Sequence, residues 1–453
     1  MRKTSTLLLA LTFGYLIPAH GRADTGLFTP VDARNQDGFE ETSNPALRSR
    51  DVALDPQRIT AIEAAQAQSL VLNLFPDATF TARLDQAGRL ESGGHYWTGR
   101  LEEISSGTVS LVIRDGALTG TVNTGESLFL IRPDRGGLHI VREVDPATYA
   151  PEIEPIDVVR SGADYPESFE AADDGSNIDI VVAYTPTARD KAGGTTAVEN
   201  LIDLAVVETN QSYSNSGVNQ RLTLKGTQQV AYSEAGFNWS TTLSRFAGTS
   251  DGYMDSVHTL RDAVCADAVV LIVGDTGYCG IAFLMSNVSS TFASSAFSVV
   301  SYTCATGYYS FGHELGHNMG ARHDWYVDDS KTPWAHSHGF VNPPDRWRTV
   351  MAYNSECSAS GFNCSRLQYW SNPLVSYGGD PMGVAAGTKT NCTEGNGAPG
   401  CDADNHLTLD KTALTFANFR DSDLCVSAES IFTDGFESGD TSGWSSTSPD
   451  TTP

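Results

Sequence analysis

Cysteine is missing from the first 264 residues of this 453-residue chain. That part can supply neither a disulfide nor a thiolate metal ligand. The eight cysteines lie from Cys265 to Cys425, and no two have the C-x-x-C spacing of a thiolate metal site. Positive charge is scarce as well. With 29 basic against 55 acidic residues the net charge is −26, which argues against nucleic acid and anionic membrane surfaces as partners. Long apolar runs are absent too. The stretch Leu7–Ile17 is too short to span a bilayer, and no other segment is long and apolar enough to cross one.

What is present begins with an export signature. Arg2 and Lys3 precede the apolar run, and Gly21-Arg22-Ala23 offers small residues for cleavage, with Ala19-His20-Gly21 as a second option. Residues 1–23 are therefore expected to be a signal peptide, and the remainder a secreted monomer. An even number of cysteines in an exported chain implies disulfides. Cys357–Cys364 and Cys392–Cys401 are close enough to be local staples, and Cys279–Cys304 would tie neighbouring strands.

Histidine is also uncommon, yet three of the ten fall in the stretch HELGHNMGARHD, residues 313–324. On a helix His313 and His317 project from one face, one turn apart, with Glu314 beside them. A straight helix would carry His323 about 240° around and roughly 9 Å further along. Gly320 resolves this, because glycine accepts the positive φ that ends a helix and turns the chain back. Three neutral imidazoles would then share one Zn2+ and leave a fourth position for water, the layout of a catalytic rather than a structural site. HExxH alone arises often by chance. The five fixed positions H-E-x-x-H-x-x-G-x-x-H do so on the order of once in a hundred thousand chains of this length.

That pattern resembles the metzincin metalloproteases. The resemblance implies a Met-turn beneath the histidines, and Thr349-Val350-Met351-Ala352-Tyr353 fits it, with Met351 placed 28 residues after His323. Asp324 is similar to the reprolysin (adamalysin) branch. Tyr369-Trp370-Ser371-Asn372-Pro373 and Asp404-Asn405 resemble the bacterial reprolysin-like group that includes peptidyl-Asp metallopeptidases. The likeness implies a zinc endopeptidase made as a zymogen, with His313, His317 and His323 on the metal and Glu314 as general base. Met351 would support the ligands from below. In astacins and serralysins a tyrosine two residues after the methionine approaches the metal and stabilises the oxyanion, whereas reprolysins generally lack it. Tyr353 is therefore read as packing beside the ligands, with that role as the alternative. Cleavage on the amino side of aspartate would need a cation in the substrate pocket, for which Arg366 is the candidate. Calcium has no motif behind it. Many metzincins stay latent through a propeptide cysteine, which is impossible here. A carboxylate, a histidine such as His139, or plain obstruction would have to serve. The competing class is a secreted zinc-binding adhesin that keeps the fold without catalysis, against which Glu314 speaks.

Four regions follow: 1–23 signal, 24–172 a β-rich propeptide ending in an acidic linker, 173–427 an α/β (α+β) catalytic domain with a mainly parallel twisted sheet and a zinc helix, and 428–453 a disordered tail rich in Ser, Thr and Pro. Residues 24–60 read as loose and Ile59–Leu72 as a helix. From 78 to 144 the alternation is that of strands, with a hairpin at Asp115-Gly116. Residues 145–176 read as an exposed linker open to proteolysis. In the catalytic region, Thr195–Asn210 is expected as a helix with Glu199 and Asp203 on its polar face. Ala268–Val273 reads as a central strand. Gly280–Leu284 is the candidate edge strand on which extended peptides would pair. His336 and His338 are the rival metal ligands, and Leu407–Arg420 a closing helix.

Overall fold

The computed structural model describes residues 26–31, 46–104, 106–134, 136–158, 173–395, 400–421 and 425. The expected signal peptide, residues 159–172 of the linker, and the C-terminal tail lie outside these residues.

The first body is an antiparallel sheet: β1 Phe28–Pro30, β2 Ala46–Leu54, β3 Ser69–Phe75, β4 Ala78–Arg89, β5 His95–Leu101, β6 Thr108–Arg114, β7 Ala117–Asn123, β8 Leu128–Pro133 and β9 His139–Val144. The order is β1-β2-β9-β8-β7-β6-β5-β4-β3. The two ends meet. Leu27 N donates to Val71 O at 2.8 Å, and Phe28 and Asn73 exchange two hydrogen bonds. The sheet thus curls on itself around Trp97, Leu72, Leu111, Val122 and Ile131. Asp115 (φ 51°) and Gly116 (φ 74°) make the expected hairpin, both in the left-handed region that matches strand twist.

Two expectations fail here. Residues 46–54 are a strand pairing β9, not loose chain. The helix after Pro56 (α1, Pro56–Glu63) is capped by Asp55 and stops at once, because Ala65 turns at φ 52°. Leu70, Leu72 and Leu74 then bury on alternate positions, a period of two that belongs to β3. His139 lies inside this body and accepts a hydrogen bond from Leu118 N at 2.9 Å, so it plays no part at the histidine triad.

The second sheet has β10 Ile156–Val158, β11 Asn177–Tyr184, β12 Arg221–Gln229, β13 Ala268–Val273, β14 Gly280–Met285 and β15 Phe297–Ser301, in the order β10-β14-β15-β13-β11-β12. The pairs β12/β11, β11/β13 and β13/β15 are parallel, and β14 is antiparallel to β15. Around it lie α2 Pro186–Ala192, α3 Thr195–Asn215, α4 Trp239–Ala247, α5 Ser256–Ala263, α6 Ser310–Asn318, α7 Ser355–Ala359 and α8 Asn405–Phe416. β13 is buried along its whole length, as its unbroken apolar run requires.

The polar face of α3 is not solvated. Arg114 of β6 reaches Glu199 at 3.1 Å and also pairs with Asp203, and Glu208 bonds Thr121 of β7. The helix is wedged between the two bodies, so its charges meet partners from the first. The three expected disulfides form, together with Cys265–Cys425.

Candidate metal centre

The zinc-helix candidate α6 packs on β14 and β15. Asn318 fastens it, donating from Nδ2 to Phe283 O at 2.7 Å and Phe297 O at 3.2 Å. The helix ends where Gly320 adopts φ 85°, and Ala321 N returns to Gly316 O at 2.8 Å. A Cβ on Gly320 would also meet Pro333 Cγ at 3.0 Å. The reversal brings His323 back beside the helix. Its Nε2 lies 3.1 Å from His313 Nε2 and 3.0 Å from His317 Nε2.

Two of the ring nitrogens on the far side are hydrogen-bonded, and the third lies near a carboxylate without a hydrogen bond. His313 Nδ1 faces Val350 O at 3.0 Å, His317 Nδ1 faces Ala321 O at 2.8 Å, and His323 Nδ1 lies 3.3 Å from Glu154 Oε2. The Ala321 carbonyl puts the His317 proton on Nδ1 and leaves its Nε2 lone pair free, whereas His313 Nδ1 has both Val350 O and the donor Arg366 Nη2 within reach. Burial holds His313 and His317 well below the usual histidine pKa, and the guanidinium of Arg366 reinforces this at His313. Three buried Nε2 atoms meeting at about this separation are held together well by a cation placed between them. The donor set therefore fits one small divalent ion, and it is the one such cluster of His, Cys, Asp or Glu among the described residues.

Glu314 is fully buried, and neither carboxylate oxygen has a hydrogen-bond partner among the described residues. Burial first, then the nearby charge of Glu152, pushes its pKa well above the usual carboxylate range. Its side chain rests on the start of β14. A Cβ on Gly280 would lie 2.3 Å from Glu314 Oε1.

Met351 is fully buried beneath α6, where a Cβ on Gly316 would touch its Sδ at 2.9 Å. Tyr353 stacks obliquely on His323, ring centroids 4.0 Å apart, with its hydroxyl unpartnered among the described residues. Asp324 locks this turn, its carboxylate accepting from Tyr353 N at 2.8 Å and Tyr326 N at 3.1 Å. His338 bonds the carbonyls of His323 and Ser330, and His336 stacks on Trp334. Neither joins the triad.

Arg366 is buried against the triad. It donates to Val350 O at 2.8 Å and Tyr308 O at 3.0 Å, and its Nη2 lies 2.7 Å from His313 Nδ1. Its ion pair is with Glu152 at 2.5 Å. Glu152 lies in the stretch 145–176 expected as an exposed linker, yet it is buried. In the structure residues 151–158 run along the outer edge of β14, with β10 parallel to it, so that edge is covered. The alternation in Pro151-Glu152-Ile153-Glu154-Pro155 was the available signal, since period two puts both glutamates on one face.

Comparison with known proteins places the chain. Residues 174–371 match the Reprolysin_5 group, described as metallo-peptidase family M12. Over 436 residues the chain is 36% identical to a peptidyl-Asp metalloendopeptidase of Stenotrophomonas maltophilia strain R551-3, covering 90% of this chain and 97% of the relative. A second such protein, from strain K279a, is 39% identical over 442 residues with the same coverage. One from Xanthomonas campestris is 36% identical, over 80% of this chain and 85% of its own. Among solved structures, metalloproteinase-II from Bacteroides fragilis aligns with 58% of this chain and 82% of its own at 12% identity and a TM-score of 0.36, too low to bear weight. The chain belongs to metallopeptidase family M12. Within that family it is a metalloendopeptidase of the reprolysin-like kind, and it resembles the peptidyl-Asp metalloendopeptidases over most of its length.

Proposed function

We propose that this is a secreted zinc endopeptidase made as a zymogen, with His313, His317 and His323 as ligands and Glu314 as general base. The convergence of three Nε2 atoms beside an unpartnered carboxylate carries the reading. A bound Zn2+ would acidify a water and polarise a peptide carbonyl. Glu314, next to His313 in the chain and with both carboxylate oxygens unpartnered among the described residues, would take that water's proton and hand it to the leaving amine. Gly280, where a Cβ would stand 2.3 Å from Glu314 Oε1, leaves the carboxylate its room. Met351 fills the space under the helix, and Tyr353 holds the His323 ring by packing. Residues 1–23 would direct export, and 24–172 would be the propeptide.

The relatives are named for peptidyl-Asp cleavage, and the same preference is proposed here with Arg366 as the cation that receives the acid. Glu314→Gln should keep the metal and lose nearly all hydrolysis of an Asp-containing peptide. Near-full activity in that variant would remove Glu314 from the role. A metal-binding adhesin with this fold predicts no hydrolysis by the wild type and none to be lost on chelation.

A further inference from the structure

We propose that residues 151–158 are a built-in occupant of the substrate cleft, and that the Glu152 carboxylate fills the acid-accepting pocket of Arg366 and Ser310 to keep the chain latent. This rests on the endopeptidase reading and adds how the site is closed without a cysteine.

The backbone comes first. Cys279 N donates to Pro151 O and Ile153 N donates to Gly280 O, each at 2.9 Å, and β10 continues the parallel ladder from Ile156 to Val158. The segment therefore uses the polar groups of the edge that a peptide substrate needs. Tyr149 stacks on Tyr308 at 4.4 Å just before it.

Its acidic side chains are then seated on specific partners. Glu152 Oε1 takes Arg366 Nη1 at 2.5 Å and Ser310 Oγ at 3.0 Å. Glu154 faces Nδ1 of His323, the nitrogen away from the Nε2 cluster. Asp157 meets Arg322 at 2.6 Å. The donor cluster contains only the three histidines, so the segment closes the cleft by occupying substrate positions and not as a metal ligand.

Glu152 is the anchor among these. Arg322 retains Asp328 at 3.0 Å if Asp157 leaves. Arg366's other hydrogen-bond neighbours are the carbonyls of Val350 and Tyr308 and the His313 ring, none of them an anion, so losing Glu152 leaves a buried cation without a counter-charge, a costly state. The vacated pocket demands an acid of similar reach. Displacement of the segment would thus hand the same guanidinium to an acidic side chain of the substrate. One pocket would serve latency and specificity.

The test uses the full-length chain, uncut and verified on a gel, as wild type, Glu152→Gln and Glu154→Gln. Amide exchange at 279–285 is followed without metal, and hydrolysis of an Asp-containing fluorogenic peptide with zinc. Glu152→Gln should speed exchange at these amides at least tenfold and raise hydrolysis by the uncut chain at least tenfold, with smaller effects from Glu154→Gln. A third measurement is inhibition of the processed enzyme by a synthetic peptide of residues 149–158, which should weaken at least tenfold when its glutamate 152 is glutamine. Exchange and latency both unchanged in Glu152→Gln, with a processed enzyme that is active, overturn the latch alone. A processed wild type that hydrolyses nothing overturns the endopeptidase reading, and the metal-free exchange still decides the seat of Glu152.

Discussion

Gly280→Ala would separate the proposed base Glu314 from the proposed metal ligands. The alanine Cβ would stand 2.3 Å from Glu314 Oε1 and 2.7 Å from both Cδ and Cγ. Ordinary contact begins near 3.4 Å, so the oxygen must retreat by 1.1 Å and the rest of the side chain by 0.7 Å. Glu314 is fully buried, so this movement cannot be taken up in solvent. The histidine nitrogens are fixed separately, by Val350 O and Ala321 O, and need not move. A misplacement of about 1 Å in a reacting group costs about a hundredfold in rate. The expected outcome is full metal content, kcat lowered about a hundredfold, and a modestly lower denaturation midpoint, since overpacking costs about 1–3 kcal/mol and alanine's better fit to a strand interior offsets only part of it. Metal would be measured by a spectrophotometric chelator and kcat on an Asp-containing peptide. An alanine variant with wild-type kcat would show that the carboxylate against Gly280 is not in its working position. A variant that loses metal would show that the base and the triad are not independently held.

Asp324→Ala should leave the amides of Tyr353 and Tyr326 without their buried acceptor, at about 1–3 kcal/mol each. A lower urea midpoint and weaker metal binding in titration are expected, and an unchanged midpoint would deny Asp324 its hold on the turn. Burial pushes His139 down to about 4, so its folded value lies below the unfolded 6.5. The stability it contributes is present above pH 6.5 and is lost as pH falls toward 4, by about 3 kcal/mol in full. Amide exchange in 117–144 should therefore accelerate between pH 6.5 and 4 in the wild type. A His139→Gln chain should lack most of that pH dependence, and the same dependence in both would refute the assignment.

Much of the site could be read before any coordinates because its constraints are local. His323 lies six positions after His317, and only a break at Gly320 lets both rings reach one point, so sequence spacing dictated geometry. The Met-turn likewise travels as a short string. The failures share a cause, which is contact across long separations. Residues 145–158 read as exposed because Pro, Asp and Glu are counted as solvent-seeking, yet Glu152 meets Arg366 214 residues away. Glu199 and Asp203 read as a wet helix face because Arg114, 85 and 89 positions earlier, was not in view. The misread helix at 59–72 came from apolar spacing that suits either period until Ala65 turns. Gly280 was read as one residue of an edge strand, and only the placed Glu314 shows why a side chain is excluded there.

On the latch proposed above, the remote ion pair would also explain how a cleft that takes acidic chains stays shut in a chain with 55 acidic residues. A tethered Glu152 competes at an effective concentration of about a millimolar, the scale for short intramolecular links. Free acidic segments at micromolar levels cannot displace it. Cutting the chain beyond the segment changes no contact in the pocket, but it turns a unimolecular return into a bimolecular one that dilution can defeat. Opening would then depend on the linker being severed and not on a stronger ligand arriving. Because the fragment and the substrate want the same guanidinium, weakening Arg366 to relax specificity would loosen the closed state as well.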